Sequence, residues 1–209
     1  MRPIFGSDVD DTAIISSHIT ETYWDYLVER KIPHSREVFA QTHSWQQAIP
    51  EHDPNMLYTE FVKSGRAPPI KEMPGAREAF ARIALTYAIH FITVRDPTAF
   101  EAIKPDMLRF LGPMEGAGYW PVAGKKKNDQ VRSLGVRYFV DDSAEVHNDL
   151  CDIPGLTLIQ FPSFHNGITP KIDSHNVIRL PACDSVGGSL PKEMICRLAW
   201  EQVLEIVAE

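Results

Sequence analysis

Several kinds of chemistry are excluded by what the sequence lacks. It has three cysteines, Cys151, Cys183 and Cys196, far apart and in no zinc-ligand spacing, so they read as reduced thiols, buried or incidental. Nothing approaches the ~20 consecutive apolar residues of a membrane span. The first residues, MRPIFGSDVDD, turn acidic too early for a secretory signal, and the cytoplasm is the expected compartment. A basic surplus is also missing: 21 Lys and Arg face 28 Asp and Glu, for a net charge of −7. That balance argues against a nucleic-acid polymer as partner, while one local cationic patch still suffices for a small anionic substrate. There is no internal repeat and no low-complexity tract. The eight histidines follow no ligand spacing, and His147 and His165 are expected on the surface or in loops.

With 209 residues, 44% of them hydrophobic and 23% charged, the chain is long and apolar enough for one substantial domain, or for a core with a small inserted module. Pro3 to Val9 reads as a short buried strand. From His18 to about Lys63 the apolar residues recur at helical spacing, Ile19, Tyr23, Tyr26 and Leu27 first, then Met56, Leu57 and Phe61. Breaks at Ile32-Pro33 and Ile49-Pro50 divide this stretch into about three short helices. SGRAPPIKEMPG (64–75) is a linker. Beyond it, strands are expected at 88–94, 119–123, 136–140 and 156–161, separated by helices at 75–87, 97–111, 127–134 and 144–151, with a last helix at 193–208. Apolar strands alternating with helices imply an α/β fold, a Rossmann-like parallel sheet with helices on both faces. Segment 13–70 breaks the alternation and reads as a helical insert after the first strand.

Polar residues collect where three strands end, which is where open α/β sheets bind ligands. IFGSDVDDTA (4–13) delivers Asp8, Asp10, Asp11 and Thr12; the second strand delivers Thr93, Arg95 and Asp96; the third delivers Asp141, Asp142 and Ser143. A cationic run, Lys125 to Lys127, opens the helix before that third strand. Three acids within four positions repel one another unless a cation or a reaction uses them. Carboxylates from two strands suit a hard cation with oxygen ligands, and beside phosphate that is usually Mg²⁺. One such Asp can attack phosphorus, and a second can protonate the leaving oxygen and then activate water.

These segments resemble the motifs of the haloacid dehalogenase-like phosphohydrolases. DVDDT (8–12) is similar to their D-x-D-x-T loop, ITVR (92–95) to the strand ending in Thr or Ser, and KNDQVRSLGVRYFVDDS (127–143) to the Lys-led helix, strand and paired acids. The resemblance implies Asp8 as nucleophile and Asp10 as general acid/base. It implies Lys127 as the neutralising lysine, with Lys125 and Lys126 as competitors for that role. Mg²⁺ is expected on Asp8, Asp142, the Asp10 carbonyl and Asp141, the last directly or through water. Thr93, Val94, Arg95, Asp11 and Thr12 are expected to line the phosphate and substrate site. The insert at 13–70 stands where these enzymes carry a helical cap, so residues 1–12 and 71–209 would form the core domain. The PGA-led helix at 74–76 and the phrase FITVR resemble the 5′-nucleotidase-like branch, which includes the 5′(3′)-deoxyribonucleotidases.

The expected function is therefore Mg²⁺-dependent hydrolysis of a small phosphomonoester through an aspartyl-phosphate, with nucleoside monophosphates as substrates and a monomer or homodimer as the working unit. A phosphosugar is the alternative substrate, and a non-catalytic binding protein the alternative of another class. Tyr23, Trp24, Phe39 and Trp45 could stack on a nucleobase or form the core of the insert. Arg95 could contact substrate phosphate or pair with a neighbouring acid. Asp11 stands where many relatives carry Gly, and Ala13 where Leu or Val is more usual.

Overall fold

The computed structural model describes residues 2–42, 45–122, 127–164 and 171–208. Its main sheet is built from β1 (Ile4–Ser7), β4 (Ala88–Thr93), β5 (Gly118–Pro121), β6 (Val136–Asp141), β7 (Thr157–Gln160) and β8 (Val177–Arg179). The spatial order is β5-β4-β1-β6-β7-β8 and every pairing is parallel. From β1 the chain first builds outward through β4 and β5, then crosses to the other side of β1 for β6. The point of reversal lies between β4, β1 and β6, and it opens a crevice at their carboxyl ends.

Successive residues of the inner strands enter opposite cores, as a doubly covered sheet requires. Phe91, Val140 and Ile159 pack on one face, among Phe5, Phe80, Phe161 and Trp200. Ile92, Phe139 and Leu158 pack on the other, against Val131 and Leu150. On the first face, α5 (Ala76–Ile83) and the last helix, α9 (Lys192–Ala208), meet around Phe80 and Trp200, whose ring centres are 4.8 Å apart. The second face is covered by α7 (Asn128–Leu134) and α8 (Ala144–Leu150). Each fully buried aromatic contributes roughly 1.5–3 kcal/mol by leaving water. At the centre of β1 only glycine fits, because a Cβ on Gly6 would lie 2.5 Å from Phe139.

Between β1 and β4 the described residues carry four helices: α1 (Ser17–Glu29), α2 (Arg36–Thr42), α3 (Trp45–Ala48) and α4 (Pro54–Lys63). One more is present than the proline breaks indicate. Tyr23 and Tyr26 of α1 pack on Phe61 of α4 with ring centres 5.2 and 5.3 Å apart. Trp24 is buried, stacks on His34 and meets Phe39 edge-on, so it belongs to the core of the insert. The side chain of Trp45 lies outside the described residues. A two-stranded antiparallel ribbon, β2 (Ile14–Ile15) with β3 (Lys71–Glu72), brings both ends of the insert together. It is missed in the sequence because two residues show no periodicity. β8 is missed for a similar reason: three half-exposed residues on the sheet edge give no apolar run.

His147 requires a correction. It is fully buried on α8, not at the surface, and its Nδ1 lies 2.7 Å from the Ser143 carbonyl oxygen. One turn before the buried Leu150, it shares that residue's inward face. His165 lies outside the described residues. Of the cysteines, all free, Cys183 and Cys196 are buried and Cys151 is half-buried; burial pushes the Cys196 thiol up to about 12. Among the described residues, no helix is long and apolar enough to cross a membrane. α6 (Pro97–Leu111) follows β4 and so starts at the carboxyl end of that strand.

Candidate active site

Asp8 is the first residue beyond β1, and its N–H still donates to the Val140 carbonyl of β6 at 2.9 Å. The ladder therefore carries Asp8 to the level of Asp141, at the end of β6. Between them reaches Lys127, the residue just before α7. Its Nζ donates to Asp8 Oδ1 at 2.5 Å and to Asp141 Oδ2 at 2.7 Å. Asp141 Oδ1 accepts from the Ser143 N–H at 2.8 Å, which turns the chain into α8. Asp8, Asp141 and Asp142 each present a carboxylate oxygen within 4.8 Å of the others, and all three are buried.

This cluster is electrostatically incomplete. Three buried carboxyl groups face one buried ammonium, so that with all three ionised two negative charges would stand uncompensated in a poorly solvated place. Burial, with added repulsion from Asp141 and Asp10, pushes the Asp8 carboxyl up to about 7 despite the attraction of Lys127. Burial also raises Asp142, helped by Asp141, Asp11 and Asp8. On Lys127 burial works against the charge, but Asp141 and Asp8 more than offset it and raise its pKa above the ordinary lysine value. An all-oxygen donor set with a surplus of two negative charges fits a hard divalent cation.

The other expected residues lie in the loop after β1 and at the end of β4. Thr93 is fully buried at the end of β4, and its Oγ1 accepts the Arg95 N–H at 3.3 Å. Thr12 is also buried, and its hydroxyl has no hydrogen-bond partner among the described residues. Asp10 does not join the carboxylate cluster. Its two oxygens accept from Arg95 Nε at 2.7 Å and Nη2 at 2.5 Å. Of the two roles open to Arg95, pairing with a neighbouring acid is the one observed. Val94 is half-exposed beside it. Lys125 and Lys126 lie outside the described residues.

Asp11 has a backbone φ of 52°, the left-handed region that Asp tolerates and Gly adopts freely. That conformation suits Gly at this position as well as Asp. Its carboxylate accepts the Ser16 N–H at 3.2 Å and closes the loop. A β-branched residue would clash with its own backbone there. Asp11→Val is expected to be less stable than Asp11→Gly by about 1–2 kcal/mol; equal denaturation midpoints for the two would contradict this strain.

A cavity of about 220 Å³ lies against Asp10 and Asp11, with walls from both sides; Asp8, Asp141, Asp142 and Lys127 do not line it. Asp10, Asp11, Arg95 and Asp96 contribute from the strand ends, and Ile19, Tyr23, Pro54 and Tyr58 from α1 and α4. Tyr58 is the residue the sequence reading passes over. It lies beside the apolar stripe of Leu57 and Phe61, and its hydroxyl accepts from Arg95 Nη1 at 2.9 Å. Only an off-stripe tyrosine hints at it in the sequence.

This parallel sheet with helices inserted after its first strand shares its fold with solved structures of haloacid dehalogenase-like hydrolases. Among solved structures, a CbbY variant from Rhodobacter sphaeroides in complex with xylulose-(1,5)bisphosphate matches with a TM-score of 0.59 at 16% identity, over 85% of this chain and 94% of that one. A haloacid dehalogenase-like hydrolase from Streptococcus pneumoniae matches at 0.54 and 17%, over 77% and 84%. Another, from Xanthomonas campestris, matches at 0.51 and 18%, over 99% and 97%. No protein-family model and no curated protein matches the sequence.

Proposed function

We propose that this protein is a Mg²⁺-dependent phosphomonoester hydrolase that works through an aspartyl-phosphate on Asp8. One observation carries the reading: an ammonium group joins two carboxylates that stand 133 residues apart in the chain, at the point where an α/β sheet binds ligands. In the first step a carboxylate oxygen of Asp8 attacks phosphorus while the bond to the ester oxygen breaks. Asp10 gives that oxygen a proton and the alcohol departs. In the second step a water, giving its proton to Asp10, attacks the phosphoryl group; phosphate leaves and the Asp8 carboxylate is restored. Lys127 balances the charge of Asp8 throughout, and the Thr93 hydroxyl with the loop N–H groups receives the phosphoryl oxygens. Bound by Asp8, Asp142, Asp141 and the Asp10 carbonyl, Mg²⁺ would supply the missing positive charge.

In this reading residues 13–70 are the cap, and 1–12 with 71–209 the core. Nucleoside monophosphates are the proposed substrates: Tyr23 and Tyr58 line the cavity beside Ile19 and Pro54, surfaces suited to a flat base. A phosphosugar is the second reading, favoured by the likeness to CbbY, whose complex holds a sugar bisphosphate. The enzyme would act in the cytoplasm as a monomer or homodimer. The test is phosphate release from p-nitrophenyl phosphate and from a panel of nucleotides, sugar phosphates and phospho-acids. Turnover with Mg²⁺ that stops in EDTA is expected, and the best natural ester decides the class. Silence across the whole panel with Mg²⁺ present would overturn the proposal.

A further inference from the structure

Arg95 is held in place before it touches anything in the cavity. Its N–H is tied to Thr93 Oγ1, and the next residue, Asp96, caps α6 by accepting the Thr98 N–H at 2.8 Å. From this fixed turn the side chain enters the cavity wall, where only 9% of it is exposed. The guanidinium then spends its donors on two different parts of the molecule. Nε and Nη2 grip both oxygens of Asp10, and Nη1 reaches the Tyr58 hydroxyl on α4. A planar fork holding a carboxylate at two points fixes the plane of that carboxylate, as a single flexible ammonium cannot.

We infer that Arg95 is a positioning residue for Asp10, and that Tyr58 makes its hold depend on how α4 is seated over the core. The inference rests on the phosphatase reading, in which Asp10 moves the proton. Held at both oxygens, Asp10 is a carboxylate without a proton. To protonate a leaving oxygen it must swing one oxygen out of the fork, take a proton from solvent on it and pass that proton on, while the fork keeps the other oxygen. Tyr58 sets the angle of the guanidinium in its own plane, and so the direction in which the released oxygen points. A hydroxyl on the insert thus reaches the proton donor of the core through one side chain. The same contacts explain why an arginine and not a lysine stands here, since three fixed directions are needed at once.

The test compares two esters of similar size. p-Nitrophenolate leaves without a proton, whereas the benzyl alkoxide of benzyl phosphate needs one. The ratio kcat/KM ends at departure of the alcohol, so the hydrolysis step common to both esters drops out. In Arg95→Met, kcat/KM for benzyl phosphate is expected to fall by about a hundredfold, the size of a general-acid contribution, and that for p-nitrophenyl phosphate by far less. Tyr58→Phe, which removes a single oxygen atom and carries the test if Arg95→Met does not fold, should lose about fivefold on the benzyl ester, equivalent to one hydrogen bond. Arg95→Lys should resemble Arg95→Met. Equal losses on both esters, or an unchanged benzyl rate, overturn the inference and leave the phosphatase reading intact. A wild-type protein without Mg²⁺-dependent turnover of either ester overturns both.

Discussion

Asp8→Asn is expected to lower phosphomonoester turnover by on the order of 10⁴-fold or more, the scale on which loss of a nucleophile is felt. The amide keeps the shape of the carboxylate but offers no anionic oxygen to phosphorus. The same change should act on stability with the opposite sign. The Asp8 carboxyl is pushed up from 3.8 to about 7, first by burial and then by neighbouring acids. A carboxyl that binds its proton more tightly when folded makes the folded state lose stability as the pH rises from about 4 to about 7, and the loss persists above that. Asp142 is shifted in the same direction and reinforces the trend. In EDTA, wild type should therefore melt lower at pH 8 than at pH 5, and Asp8→Asn should flatten the difference. Phosphate-release assays and melts at the two pH values check both halves. An Asp8→Asn protein that still turns over refutes the nucleophile; one that melts below wild type at pH 8 refutes the electrostatic account.

Lys127→Met should cost the most stability. Methionine has nearly the reach of lysine but no charge, so Asp8 and Asp141 lose the donor they share. Breaking a buried ion pair by removing one partner costs about 3–5 kcal/mol, because the other charge stays buried. Activity should fall by on the order of 10³-fold, the scale of a lost electrostatic contact to the reacting group. Since a cation bound only by the folded state stabilises it by mass action, Mg²⁺ at a hundred times its dissociation constant should restore about 2.7 kcal/mol of stability without restoring turnover. Chemical denaturation with and without Mg²⁺ measures this. Lys125→Met and Lys126→Met are the controls: if either reduces turnover more than Lys127→Met, the lysine role belongs elsewhere in the run.

Much of the site was legible in the sequence because its parts sit at strand ends, and strand ends are marked by abrupt changes from apolar to acidic residues. VRYFVDD is such a change, and so is IFGSDVDD. The lysine was legible as one of three, and the structure shows Lys127 between two carboxylates. Less legible was anything that depends on two distant side chains meeting. Arg95 left two partners open in the sequence, and the direction of its fork toward Asp10 follows from the turn after β4. Tyr58 carried no signal beyond its place beside the apolar stripe of Leu57 and Phe61. His147 was misplaced because a polar residue on a short helix resembles a surface residue until the helix is docked.

The sequence by itself determined the layered α/β architecture, the helical insert and the carboxylates at the strand ends, because local patterns of two and 3.6 residues decide which faces must leave water. Tertiary structure alone decided that Asp10 is gripped by Arg95 instead of joining the buried cluster, that an insert tyrosine reaches that pair, and that Asp8 and Asp141 share a single ammonium. These are distances between residues far apart in the chain, and only the closing of the sheet about β1 sets them.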